Sequence, residues 1–179
     1  MYLFRPMPST TFPASQWHDY FITVGGGAAA LTGLVFVAMT LHLDEIINNP
    51  VHRHRARTIL AGLTAVFIRC ALVLMGGQNS QAVAIELIVV LLVVEAILYR
   101  SIRLAAQAAD NAVLLRAVGS FACLVLEQIG AVILFFGFSW GLYVVGLGMM
   151  SSFIFMVTGA WLLLVGVGMQ EAAEASSAP

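Results

Sequence analysis

The chain has 179 residues, of which 61% are hydrophobic and 9% charged, with a mean hydropathy of +0.97; this leaves too little polar surface to cover a soluble globule and places the chain among integral membrane proteins. Eight arginines, no lysine and nine carboxylates give a net charge of −1, so there is no basic face of the size that nucleic acid requires. Cys70 and Cys123 both sit inside apolar runs as small apolar side chains, which excludes a disulfide framework and a cysteine zinc site.

Residues 1–16, MYLFRPMPSTTFPASQ, are rich in proline and threonine and lack both a continuous apolar core and a small-residue cleavage site. They are expected to form a retained extracytoplasmic tail. A helix crosses about 30 Å of hydrocarbon with about 20 apolar residues, and five runs are long enough. The first extends from Trp17 to Ile47 and the second from Pro50 to Met75. The third covers Ala82 to Leu104, the fourth Ala112 to Phe136, and the fifth, after the break GFSWG, Leu142 to Gly168. Turn chemistry separates them. Asn49 is placed to cap a helix that Pro50 opens, GGQNSQ is a short polar loop, and Asp110 or Asn111 can cap the fourth helix. The expected fold is therefore an all-α integral membrane protein, with a single transmembrane domain over residues 17–168 and a short tail over 169–179.

Arginine placement sets the expected orientation. Arg53, Arg55 and Arg57 follow the first run and Arg100, Arg103 and Arg116 bracket the third connection, whereas GGQNSQ and GFSWG carry no charge. The positive-inside rule makes both basic connections cytoplasmic, the N-terminus outside and the C-terminus cytoplasmic, in the cell (inner) membrane. The same topology gathers Trp17, Tyr20, Trp140 and Tyr143 into an aromatic belt at the outer interface.

Four charged residues fall in the interior of the spans, away from their ends: Arg69, Glu86, Glu95 and Glu127. A guanidinium stays charged in protein and costs about 2.5 to 3.5 kcal/mol at the bilayer centre, so Arg69 demands a partner. Counting back to the outer loops at 1.5 Å per residue puts Arg69, Glu86 and Glu127 in one layer about 8 to 17 Å deep. The second and third helices are joined by a short loop, which favours Glu86 as the partner of Arg69 and leaves Glu127, beside Gln128, as the second choice. A carboxyl left without a cation in this layer would be a candidate to take up and release protons. Glu95 lies deeper, near Arg100, half a turn out of phase with Glu86. Such residues mark ion and proton pathways by default, or they clamp two helices together.

The first helix packs Gly25, Gly26, Gly27, Ala28, Ala29, Ala30 and Gly33 into two and a half turns. Gly26 with Ala30, and Ala29 with Gly33, have the small-xxx-small spacing that lets helices approach closely. Gly26, Ala30, Gly33, Val37 and Thr40 form the candidate face for packing or for lining a pore. Ser152, Gly159 and Gly166 repeat every seven residues as a comparable stripe on the fifth helix.

His42, Asp44, Glu45, His52 and His54 collect near the first basic connection, but none has the one-turn spacing of a helical metal motif. They read as a basic turn in contact with lipid head groups. His18 beside Asp19 reads as an interfacial anchor. Nucleophile elbow, zinc-protease, phosphate-loop and CxxC motifs are missing, so no enzymatic activity, catalytic residue, metal or other cofactor is expected.

Two resemblances are carried by the first third of the chain. WHDYF followed by GGGAAALTGLVFVAMTLHLD resembles a group of bacterial multi-pass proteins, some labelled modulators of the FtsH protease. That resemblance implies an accessory subunit or modulator of a larger membrane protein complex. LTGLVFVAM is similar to the pore helix of the Orai calcium channels, which implies a homo-oligomeric pore lined by the first helix, with Gly33 and Val37 facing its axis. Thr40 or Leu41 stands where those channels carry an acidic filter residue, and the expected direction of the helix is reversed. The leading expectation is a homo-oligomeric ion channel, and the alternative is a non-enzymatic accessory subunit.

Overall fold

Residues 14–48, 50–75, 77–107 and 111–177 are described in a computed structural model. They form six helices: α1 (Ala14–Leu41), α2 (Leu43–Asn48), α3 (Pro50–Leu74), α4 (Ser80–Gln107), α5 (Asn111–Phe135) and α6 (Gly141–Ser177). Five contain stretches long and apolar enough to cross a membrane: Trp17–Leu41, His52–Leu74, Ser80–Arg100, Val118–Phe135 and Gly141–Val165. The chain is thus a multi-pass bundle of five transmembrane helices, as the apolar runs predict.

The helix ends follow local chemistry. The first run does not continue to Ile47 as one helix but is broken at His42, and α2 packs on α3, where Ile46 is buried with Ala56 and Ile59. Pro50 opens α3 at the position where its missing N–H costs nothing; its expected cap, Asn49, lies outside the described residues, as do Asp110 and residues 1–13. Asn79 caps α4, its Oδ1 accepting from the Ala82 N–H at 2.7 Å. After α5 the chain reverses at Gly137, whose φ of 84° suits a residue without Cβ. Around it the Phe138 N–H donates to Ile133 O and the Gly137 N–H to Leu134 O, the paired bonds of a Schellman ending. The fifth run does not stop at Gly168. QEAAEASS is made largely of good helix formers, and α6 runs on to Ser177.

Packing joins α4 to α5, α5 to α6 and α6 to α3, while α1 lies along α3 and touches α6. The main core draws Phe21 and Ala28 from α1, Val66 and Val73 from α3, Leu87 and Leu91 from α4, Leu134 from α5, and Leu142 and Met149 from α6. A second cluster, with Val35, Met39, Ile59, Leu63 and Leu163, joins α1, α2, α3 and α6 toward the arginine-rich end. At the opposite, loop end, the Trp17 ring lies 5.6 Å from Tyr20 and 4.8 Å from Tyr143. There the Tyr20 hydroxyl donates to Gly146 O at 2.6 Å. Three members of the expected aromatic belt therefore meet in one cluster that joins the starts of α1 and α6.

The closest helix contact is between α5 and α6. A Cβ built on Gly148 would stand 2.9 Å from the backbone N of Glu127, and one on Gly130 would stand 2.6 Å from the backbone N of Val145. The two backbones touch, and this contact fixes where Glu127 sits.

Candidate functional site

Among the described residues Arg69 and Glu127 are the two charged side chains withdrawn into the core, 1% and 0% exposed. They form a direct ion pair between α3 and α5, from Arg69 Nη1 to Glu127 Oε2. Arg69 Nε also donates to Ala65 O one turn earlier, at 3.0 Å. Held at both points, the guanidinium cannot swing toward either membrane surface. Beside it, the Cys70 thiol donates to Met149 Sδ at 3.3 Å, so the pair is walled by soft apolar groups.

The expected pairing of Arg69 with Glu86 is therefore corrected. Both lie at similar distances from the α3–α4 loop, but Glu86 points elsewhere: the buried face of α4 is Val83, Ala84, Leu87 and Leu91, and at 100° per residue Glu86 stands about 110° away from its centre. Its Oε1 instead accepts from Gln78 Nε2 of the loop at 2.8 Å. Glu127 shares its face with Leu124, Ala131 and Leu134, all buried, so α5 aims it inward. Glu95 remains apart from the pair, half-buried on α4, with one carboxylate oxygen enclosed and unbonded among the described residues.

The pair is not sealed in a dry core. A cavity of about 370 Å³ is bounded by α3, α4, α5 and α6 and reaches from His54 and Arg57 to Arg69. Along α3 that is about 22 Å at 1.5 Å per residue. Ser152, 5% exposed, lines it. The hydroxyls of Thr23, Thr32, Thr58, Ser151 and Thr158 all return to the carbonyl four residues earlier in their own helices. Ser152 Oγ does not, and with Glu127 Oε1 it is a buried polar atom with no hydrogen-bond partner among the described residues. The deep end of the crevice thus combines the Arg69 guanidinium with the unmet Ser152 hydroxyl, which water can satisfy, while Glu127 is not among the lining residues.

The other expected site lies on the opposite side of α1. Gly26, Ala30, Gly33, Val37 and Thr40 are all exposed, and a Cβ at Gly26 or Gly33 would meet nothing within 4 Å. Within the subunit α1 packs through Phe21, Val24, Ala28, Val35 and Met39, roughly half a turn away. Gly25 is the closely packed glycine, with its Cβ position 2.9 Å from Cys70 Cβ. On α6, likewise, Gly141 and Gly148 are the tight contacts, with Cβ positions 2.7 Å from Gly130 O and 2.9 Å from the Glu127 backbone N, while Gly159 meets Ile59 at an ordinary 3.7 Å; the side of α6 around Gly166 is outside the described residues. The side chains of Asp44 and Glu45 are outside them too, and among the described residues no three metal-ligating side chains converge.

Sequence reading missed Ser152 as a polar lining residue and Gly148 as the support of Glu127. Gly141 and Gly148, seven apart, carried the signal for the latter. With this geometry in view, the chain matches no protein-family model, no curated protein and no solved structure. The class is a multi-pass helical membrane protein, and the site itself must argue the function.

Proposed function

We propose that this membrane protein conducts ions or protons without enzymatic chemistry, and that the Arg69–Glu127 pair is its working part. The supporting observation is that Arg69, one member of the pair, lines a crevice that runs along α3 to Arg57 and His54 near the arginine-rich end. A pair serving only to clamp two helices needs no such access, whereas a site that exchanges an ion or proton with one side of the membrane does. Arginine placement supports insertion in the inner membrane with that end in the cytoplasm. Protein in liposomes is expected to carry a proton or ion flux that Glu127→Gln or Arg69→Ala changes, with thermal unfolding followed in parallel to separate flux from folding. Flux equal to that of empty liposomes overturns the proposal.

A second reading rests on the exposed face of α1. Gly26 and Gly33 leave room for another helix to approach closely. A second copy there supports a homo-oligomer whose axis α1 lines, as the Orai resemblance implies; a different membrane protein there supports the accessory or modulator role. Gly33→Leu is expected to break the assembly while the subunit stays folded, read as mass in nanodiscs. An unchanged monomeric mass for the unsubstituted protein, with no co-purifying partner, refutes both versions.

A further inference from the structure

We propose that the crevice between α3 and α4 takes one acyl chain of an anionic phospholipid, with Arg57 and His54 holding the head group at its mouth. The two helices start together at the 75–79 loop and part toward the arginine-rich end. There the apolar cluster joins α3 to α1, α2 and α6, and among the described residues it includes none from α4 or α5. The gap is long and narrow, about 22 Å along α3, and its volume of about 370 Å³ is in the range of small-ligand sites.

Its chemistry selects the occupant. The walls are apolar, with Ala61, Ala65, Val94, Leu98 and Leu124 among them. Among the described residues the charged lining groups are arginines, Arg57 at the mouth and Arg69 at the apex, and no carboxylate lines the cavity. A free cation finds no counter-charge here, and a compact polar anion leaves the apolar walls uncovered. A chain with an anionic head matches both features, and basic sites between membrane helices are where such head groups bind. Arg53 on α3 and Arg100 on α4, both exposed, stand at about the level of His54 when residues are counted from the loop, which adds positive charge at the depth of the mouth. Ala61 and Ile97 line the crevice and are also exposed, so it opens sideways into the hydrocarbon. A chain can enter there while its head stays at the interface.

The inference stands on the crevice and not on conduction. If the pair conducts, a chain reaching Ser152 and Arg69 closes its access, and the lipid acts as a plug. The test is native mass spectrometry of the delipidated full chain after addition of phosphatidylglycerol or phosphatidylcholine with the same acyl chains. We expect at least tenfold preference for phosphatidylglycerol, a several-fold loss of that preference in Arg57→Ala, and loss of binding in Ala61→Trp. In the unsubstituted protein, phosphatidylglycerols of increasing chain length are expected to bind more tightly until the chain fills the crevice, a readout that needs no variant to fold. Equal binding of the two lipids overturns the charge assignment. Competition by glycerol phosphate as strong as by the lipid, or binding independent of chain length, overturns the acyl-chain assignment. Phosphatidylglycerol bound as expected, with no flux even in liposomes of phosphatidylcholine alone, where the crevice is left without its preferred lipid, would refute conduction and leave this inference standing.

Discussion

Replacing Arg69 by methionine leaves Glu127 as a buried carboxylate with no cation. Glu127 is 0% exposed and does not line the crevice, so it cannot recover a lost partner from solvent. Breaking such a pair from one side costs about 3 to 5 kcal/mol, whereas replacing both members by apolar residues is often neutral or stabilising. Arg69→Met and Glu127→Leu are each expected to lower stability by about that amount, a factor of about 100 to 4,000 in the folded population. The double variant is expected at or above the original stability. Glu86→Gln is the control: half-buried and bonded to Gln78, it should cost only about 1 kcal/mol. Reversible denaturation in mixed detergent micelles, followed by circular dichroism, measures all four. If Arg69→Met costs less than about 1 kcal/mol, as for an exposed pair, or if Glu86→Gln proves the more damaging change, the assigned pairing is wrong.

Two further outcomes follow from the packing. Gly148→Ala places a Cβ 2.9 Å from the Glu127 backbone and is expected to cost about 1 to 3 kcal/mol as overpacking, while Gly26→Ala, with nothing within 4 Å, is expected to leave the melting temperature unchanged or raise it, since alanine favours helix; the reverse order in a thermal melt refutes the account of which glycines pack. Tyr20→Phe removes the bond to Gly146 O and is expected to cost about 0.5 to 1.5 kcal/mol, checked by the same denaturation, and no change would mean that the aromatic stacking alone fastens α1 to α6.

Position along each helix was legible in the sequence because it needs only counting. The five apolar runs and the common level of Arg69 with Glu127 follow from residue numbers and loop positions, whereas the break at His42 does not. Rotation about each helix axis was not legible. α4 and α5 are apolar on nearly every side, so no polar stripe marks which flank faces the core; Glu86 and Glu127 look equivalent until α4 turns one aside and α5 turns the other inward. In α1 six consecutive small residues, Gly25 to Ala30, offer every face at once. The pattern could not distinguish Gly25 and Ala28, which pack, from Gly26 and Ala30, which face outward.

The cluster of Trp17, Tyr20 and Tyr143 has a bearing on biogenesis. Tyr20 reaches Gly146, 126 positions later in the chain, and synthesis at about 5 to 20 residues per second separates them by about 6 to 25 seconds. Throughout that interval α1 is already in the bilayer with its aromatic end unmatched. α1 can pack along α3 well before then, but its aromatic end is fastened only when α6 arrives, and until that point this end is the part of α1 most open to capture by a chaperone or a quality-control protease.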